Sequence, residues 1–204
     1  MKIIALEEHF ATAEVMQGWK SVDPRWSDLA LKPSTEGEGA RRLLDLGAER
    51  LDAMNEAGID VAVLSLTTPG VQLDAEVAVD LARSCNDHLA AAVHTTPERF
   101  QGFATLPTPS PDRAAKELVR CIRELDLHGA MLHGRTRDQN LSEQEFGPIF
   151  EAAEALGFHF TCTRNHHSRA CWTHTTKGSA RTSTLCLRAR GLAGITKPEF
   201  RSSP

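Results

Sequence analysis

Residues 43–72 read LLDLGAERLDAMNEAGIDVAVLSLTTPGVQ, and this stretch sets the fold class. From Arg42 to Ala57 the apolar spacing is helical, with Leu44, Leu51 and Met54 on one face. Gly58 follows where a helix C-cap needs a positive φ. Ile59 to Leu66 is then a β-branched strand of the kind buried in parallel sheets, and it stops at Thr67-Thr68-Pro69-Gly70. A helix, a glycine stop, a buried strand and a polar turn make up one unit of an alternating α/β chain.

Outward from that unit the cycle repeats. Residues 74–94 suit a helix, with Val77, Leu81, Cys85 and Leu89 at i, i+4 spacing. Phe100 to Leu106 is the next strand. Ser110 and Pro111 are an N-cap with proline at N1, opening a helix through Ala114, Leu118, Ile122 and Leu125. Leu127 to Leu132 is a further strand. Ser142-x-x-Glu145 has the form of a capping box before Phe146, Ile149, Phe150, Ala153 and Leu156, with Gly157 closing the helix. Upstream, Ile3 to Leu6 is a short apolar run fit for a buried strand, and residues 11–40 read as a long loop with one short helix. A doubly wound sheet and a (β/α)8 barrel both fit this rhythm, but no GxGxxG or Walker A pattern follows a strand. A whole barrel typically needs roughly 250 residues. The expectation is therefore a partial (β/α)8 TIM barrel of about four to five βα units over residues 1–158, its fourth strand left with an unpaired edge.

Composition narrows the class. The chain has 204 residues, 41% hydrophobic and 25% charged, as in ordinary soluble domains. No run approaches the roughly 18 apolar residues of a membrane span, and the two glutamates of MKIIALEEHF interrupt any signal peptide. Five cysteines without an export signal read as thiols, so a cytoplasmic protein is expected. The net charge of −4 is uneven. Residues 1–158 carry 15 Lys+Arg against 26 Asp+Glu, whereas residues 159–204 carry 8 against 1. Neither a nucleic-acid nor a membrane partner is expected from a basic tail that shows no regular face.

The residues that carry chemistry lie in Glu7-Glu8-His9, at the end of the first strand. In regular strands, side chains at i and i+2 share one side, so Glu7 and His9 can project together from the C-terminal mouth where sites of this fold lie. A carboxylate and an imidazole make half of a site for Zn2+, with Mn2+ or Mg2+ as alternatives.

ALEEHF, LLDLGAERLDAMNEAGIDVAVLSLTTPGVQ, PERFQGFATLP and LHGAMLHGRT, in this order, resemble the amidohydrolase-related family, and within it the 2,3-dihydroxybenzoate and γ-resorcylate decarboxylases. The resemblance covers residues 1–158. It implies that Glu7 and His9 are metal ligands, completed in the family by a His after the fifth strand and an Asp after the eighth. It also implies a small aromatic carboxylic acid as substrate, homo-oligomers, and ring protonation by that Asp before carbon dioxide leaves. His133 stands where relatives usually carry Asn and, with Phe10, is expected to line the substrate pocket. Thr163 stands where the fifth-strand His belongs. No catalytic residue is thus retained, and little activity is expected.

The tail, residues 159–204, reads as irregular and as a product of a shifted reading frame. Cys162, His166, His167, Cys171 and His174 could ligate zinc, but they lack paired spacing. Back-translation with one base removed at Phe158 turns the tail's first 22 residues into PLYLHPQPPLPRLLDAHYEGFG. That string restores a Leu-His-Pro strand end. Two other functions stay open: a hydrolase of the same superfamily acting on a lactone or ester, and a non-catalytic interaction protein with a basic tail.

Overall fold

The computed structural model describes residues 2–22, 31–137, 139–157, 159–163 and 185–188. β2 (Val61–Leu66) is buried along its whole length, as its uncharged, β-branched sequence requires. It lies between β1 (Ile4–Phe10) and β3 (Phe100–Thr105), and the sheet continues through β4 (Gly129–His133) to β7 (His159–Thr163) and β8 (Leu185–Arg188). All neighbouring pairs from β1 to β7 are parallel, and β8 runs antiparallel to β7. A two-residue hairpin, β5 (Arg135–Thr136) and β6 (Gln139–Asn140), stands in the loop after β4. This is a partial (β/α)8 barrel.

Helices form the crossovers. α1 (Ala13–Trp19), α2 (Leu31–Thr35), α3 (Gly37–Leu44) and α4 (Ala48–Ala57) connect β1 to β2. α5 (Ala75–Thr95) follows β2, α6 (Pro111–Arg123) follows β3, and α7 (Gly147–Ala155) follows β4. Leu89, Leu118, Ile149, Phe100, Leu64 and Trp19 belong to one continuous apolar core between helices and sheet. Among the described residues no helix is long and apolar enough to cross a membrane.

Several sequence expectations change. The single helix over 42–57 is two, α3 and α4, because Asp45 turns its carboxylate onto the backbone: Oδ1 accepts from Gly47 N (2.9 Å) and Oδ2 from Arg50 N (2.6 Å). Leu44 is consequently exposed. Gly58 does close α4 at φ 70°. The long loop over 11–40 contains α1, α2 and the start of α3, with Thr12 capping α1. On α5 the buried line is Ala78, Ala82, Cys85, Leu89 and Val93, while Val77 is 45% exposed. A strict i+4 series drifts by ~40° per step, so a buried stripe must alternate steps of three and four. Ser110 occupies the N-cap of α6 without a side-chain cap bond. The Ser142/Glu145 capping box does not form: a 3-10 turn (Gln144–Phe146) precedes α7, and Glu143 Oε1 accepts from Asn140 N instead.

At the sheet edges two further corrections arise. Ile3, Ile4 and Leu6 are 45–59% exposed, at a strand that among the described residues is paired on one side only. The edge of β4 is paired, by β7, so the chain from residue 159 is not wholly irregular. Its Phe and Thr residues favour strand, and the open edge of β4 supplies the template. His166, His167, Cys171 and His174 lie outside the described residues.

Candidate metal centre

The mouth end of β1 departs from a regular strand. Its pairing with β2 runs from Ala5↔Ala62 directly to Glu8↔Leu64, so Leu6 and Glu7 together oppose one residue. The extra residue is a β-bulge, and Glu7 adopts φ 58° within it. Plain alternation therefore does not place Glu7 and His9; the bulge does. One Glu7 carboxylate oxygen, Oε1, is buried, and among the described residues no hydrogen-bond partner reaches it.

His9 is largely buried on the neighbouring turn of the strand. Burial holds its imidazole below the usual value, against the nearby carboxylates of Glu7 and Glu8, which favour the charged form. Its Nδ1 lies 3.2 Å from Ser65 Oγ on β2, the residue paired with it in the parallel register. A neutral ring held at one nitrogen is in the state a metal ligand needs. Arg50 secures the main chain beneath: Nη2 donates to His9 O (2.8 Å) and Nε to Asp45 O (2.7 Å).

A second polar group lies at the ends of β2, β3 and β4. His133, 5% exposed, rests against Gly70 so closely that a Cβ there would meet its Nε2 at 2.4 Å. Gly70 is also at φ 67°, and its carbonyl accepts from Trp19 Nε1 (2.7 Å). Gln72 Nε2 donates to Thr108 Oγ1 (3.1 Å), and Thr136 donates to the same oxygen (2.7 Å). Phe10, 1% exposed, lies inside the apolar core. Thr163 ends β7 in register with His133. Among the described residues no group of three His, Cys, Asp or Glu side chains gathers to hold an ion. A groove lined by Lys2, Asn55, Ile59, Asp60, Glu98 and Arg99 lies at the N-terminal strand ends, on the opposite face from this pair.

The sequence singled out Glu7, His9 and His133 as candidates but did not point to their neighbours Ser65, Arg50 and the Gln72/Thr108/Thr136 group. Ser65 had a visible signal, as the one hydroxyl inside the apolar run VAVLSL.

A parallel (β/α) half-barrel with a half-buried glutamate and histidine at the C-terminal end of its first strand is the class that fold and site define. The chain belongs to the amidohydrolase family, whose model matches residues 9–177, past Phe158 and into the basic tail. It is 38% identical to the γ-resorcylate decarboxylase of Polaromonas sp., over 77% of this chain and 48% of that protein. The 5-carboxyvanillate decarboxylase of Novosphingobium aromaticivorans, solved as a mutant with manganese and 3-methoxy-4-hydroxy-5-nitrobenzoic acid, superposes with a TM-score of 0.71. It is 34% identical over 78% of this chain and 49% of its own. The Polaromonas sp. dihydroxybenzoic acid decarboxylase with manganese and 2-nitroresorcinol gives 0.69, at 35% identity over 85% and 52%. The chain thus spans about half the length of the relatives it matches. The metal in these structures is manganese, so the expectation of zinc finds no support in them.

Proposed function

We propose that residues 1–158 form the metal-holding half of a non-oxidative decarboxylase acting on a hydroxybenzoate-type aromatic acid. The observation that carries this reading is the buried Glu7 Oε1 without a hydrogen-bond partner among the described residues, beside a His9 ring held through Nδ1. A buried, unpaired carboxylate oxygen costs stability unless a cation or donor completes it. A carboxylate oxygen and an imidazole nitrogen suit Mn2+ as well as Zn2+, and the manganese of the solved relatives favours Mn2+. When bound, such a cation supplies the positive charge that draws in a carboxylate and its neighbouring phenolic hydroxyl.

The chain's own residues orient the rest. Ser65 holds the His9 ring through Nδ1, which leaves Nε2 as the nitrogen for the cation. His133, fixed against Gly70 at the end of β4, offers a hydrogen bond to the aromatic acid, and Phe10 supports the floor from within the core. By the family resemblance, Thr163 stands in the sequence where a further imidazole ligand belongs. We infer that the 204-residue chain binds the cation weakly and turns over little substrate. The same reading makes residues 159–204 the product of a one-base shift at Phe158; sequencing the locus and finding the published frame intact there would remove that part.

The test is Mn2+ titration of the purified chain, followed by electron paramagnetic resonance, with carbon dioxide release from 2,6-dihydroxybenzoate measured alongside. Binding that Glu7→Gln and His9→Ala each weaken supports the metal site. Binding indifferent to both sinks it, and rapid turnover sinks the inference of low activity.

A further inference from the structure

Arg50 is the third residue of α4, and among the described residues its side chain makes no direct ion pair, although the carboxylates of Glu8 and Asp45 lie near enough to favour its charge. Its guanidinium instead spans three main-chain carbonyls: Asp45 O through Nε at 2.7 Å, and Arg42 O and His9 O through Nη2 at 3.0 and 2.8 Å. Arg42 O belongs to the last turn of α3, whose carbonyl end favours a cation. The main chain of Arg50 is pinned as well, its N donating to Asp45 Oδ2 at 2.6 Å. A rigid planar fork with several donors can bridge divergent carbonyls; a lysine ammonium is a single compact charge on a flexible stem.

The His9 carbonyl needs this partner for a geometric reason. Successive carbonyls of a strand point to opposite sides. That of Phe10 faces β2, where it accepts from Thr67 N at 3.0 Å. That of His9 faces the open side of β1, where among the described residues no strand is paired. One residue further on, Ala11 N donates to Leu43 O at 2.9 Å, so the strand leaves the sheet under the hold of the α3–α4 corner. The peptide that carries the His9 ring is therefore set from one side by β2 and from the other by Arg50.

We propose that Arg50 is a positioning residue for the Glu7/His9 pair, clamping the His9 main chain from the open side of β1 to the corner between α3 and α4. The proposal rests on the metal reading above. Without the guanidinium, the His9 carbonyl loses its donor and the last residues of β1 are free to rotate. The ring then departs from Ser65, and the bulge no longer holds Glu7 against it.

The experiment compares the full chain with Arg50→Met, Arg50→Lys and, as a control for lost stability alone, Gly58→Ala at the far end of α4. Mn2+ affinity is read by electron paramagnetic resonance, and the apo His9 ring by long-range 1H–15N correlation. In the unmutated chain the ring is expected in one tautomer, with Nδ1 protonated toward Ser65. Arg50→Met is expected to weaken Mn2+ binding by roughly 10- to 100-fold, the range seen when outer-shell partners of a metal ligand are removed. It should also average the ring signals. Arg50→Lys should fall between, and Gly58→Ala should lower the melting temperature while leaving both readouts unchanged. Should Arg50→Met be too unstable to purify, Arg50→Lys carries the comparison. Arg50 variants that bind Mn2+ like the parent and keep a single tautomer overturn the positioning role alone. Failure of the parent chain to bind Mn2+ overturns the metal reading, and a ring signal unchanged in the Arg50 variants would then overturn the clamp as well.

Discussion

Glu7 holds a left-handed backbone conformation inside a strand and buries a carboxylate oxygen without a hydrogen-bond partner among the described residues. Each feature works against folding, the first by about 1 kcal/mol or more. Their coincidence at one residue fits a position shaped by ligand binding. Glu7→Gly should therefore raise the melting temperature by roughly 2–4 °C, the shift that about 1 kcal/mol produces in a chain of this size. Mn2+ binding should fall in the same variant. A thermal scan showing a lower melting temperature would mean that the strain is relieved by contacts the side chain makes in the fold. Ser65→Ala isolates the other half of the pair: Mn2+ affinity should drop about tenfold, with little loss of stability beyond about 1 kcal/mol. Residue types and spacing made Glu7 and His9 legible, since an acid and an imidazole at a strand end are visible in one dimension. The bulge was not legible. It arises because Leu6 and Glu7 face a single residue of β2, and that mismatch exists only once the two strands are paired.

Helices and strands were legible where a single periodicity governs them, and less so at their junctions. β2 and β3 were anticipated to within two residues at either end, because a β-branched or aromatic run bounded by glycine or proline leaves little choice. The division of α3 from α4 was hidden, because Leu-Asp-Leu-Gly carries no proline and the apolar spacing continues across it. Asp45 makes the break through two side-chain bonds to the first turn of α4. Asp45→Ala should cost about 1 kcal/mol as a lost cap, read as a lower urea midpoint at unchanged slope; an unchanged midpoint would assign the break to Gly47. A larger effect belongs to the network joining α5, β3 and α6. Buried Asn86 donates to Thr105 O (3.0 Å) and Glu117 Oε1 (2.8 Å), and accepts from Thr105 N (2.8 Å). Arg120 closes it on Glu117 at 2.7 Å. Glu117→Ala removes one acceptor from a buried amide that keeps Thr105 O and one from a half-buried guanidinium that keeps Asp87, at an expected cost of about 2 kcal/mol. Chemical denaturation measures it, and a loss below about 1 kcal/mol would show that the network is not coupled to global stability.

Over the whole molecule, the decisive relation is between strands that are distant along the sheet. Glu7 and His9 end β1, Thr163 ends β7, and three strands stand between them. At about 4.8 Å per strand, a flat sheet would hold these ends ~19 Å apart, beyond the reach of one imidazole. A sheet curled as in a barrel brings the C-terminal ends of its strands around one mouth. The superposition on barrel decarboxylases, with a TM-score of 0.71, supports that curl. The parallel register of β7 with β4, His133 beside Thr163, puts the end of β7 level with the mouth. Thr163→His is thus a test of closure as much as of chemistry. If the strand ends converge, a third ligand joins Glu7 and His9, and Mn2+ should bind at least roughly tenfold more tightly, an outer limit being set by how far the loops must adjust. The gain should vanish in Thr163→His combined with His9→Ala, because the added imidazole then has only Glu7 to work with. A gain that survives His9→Ala would mean that the new histidine captures the ion elsewhere, and no gain at all would mean that β7 does not face the mouth of β1. Only a loss of the gain with His9 ties the two ends of the sheet to one centre.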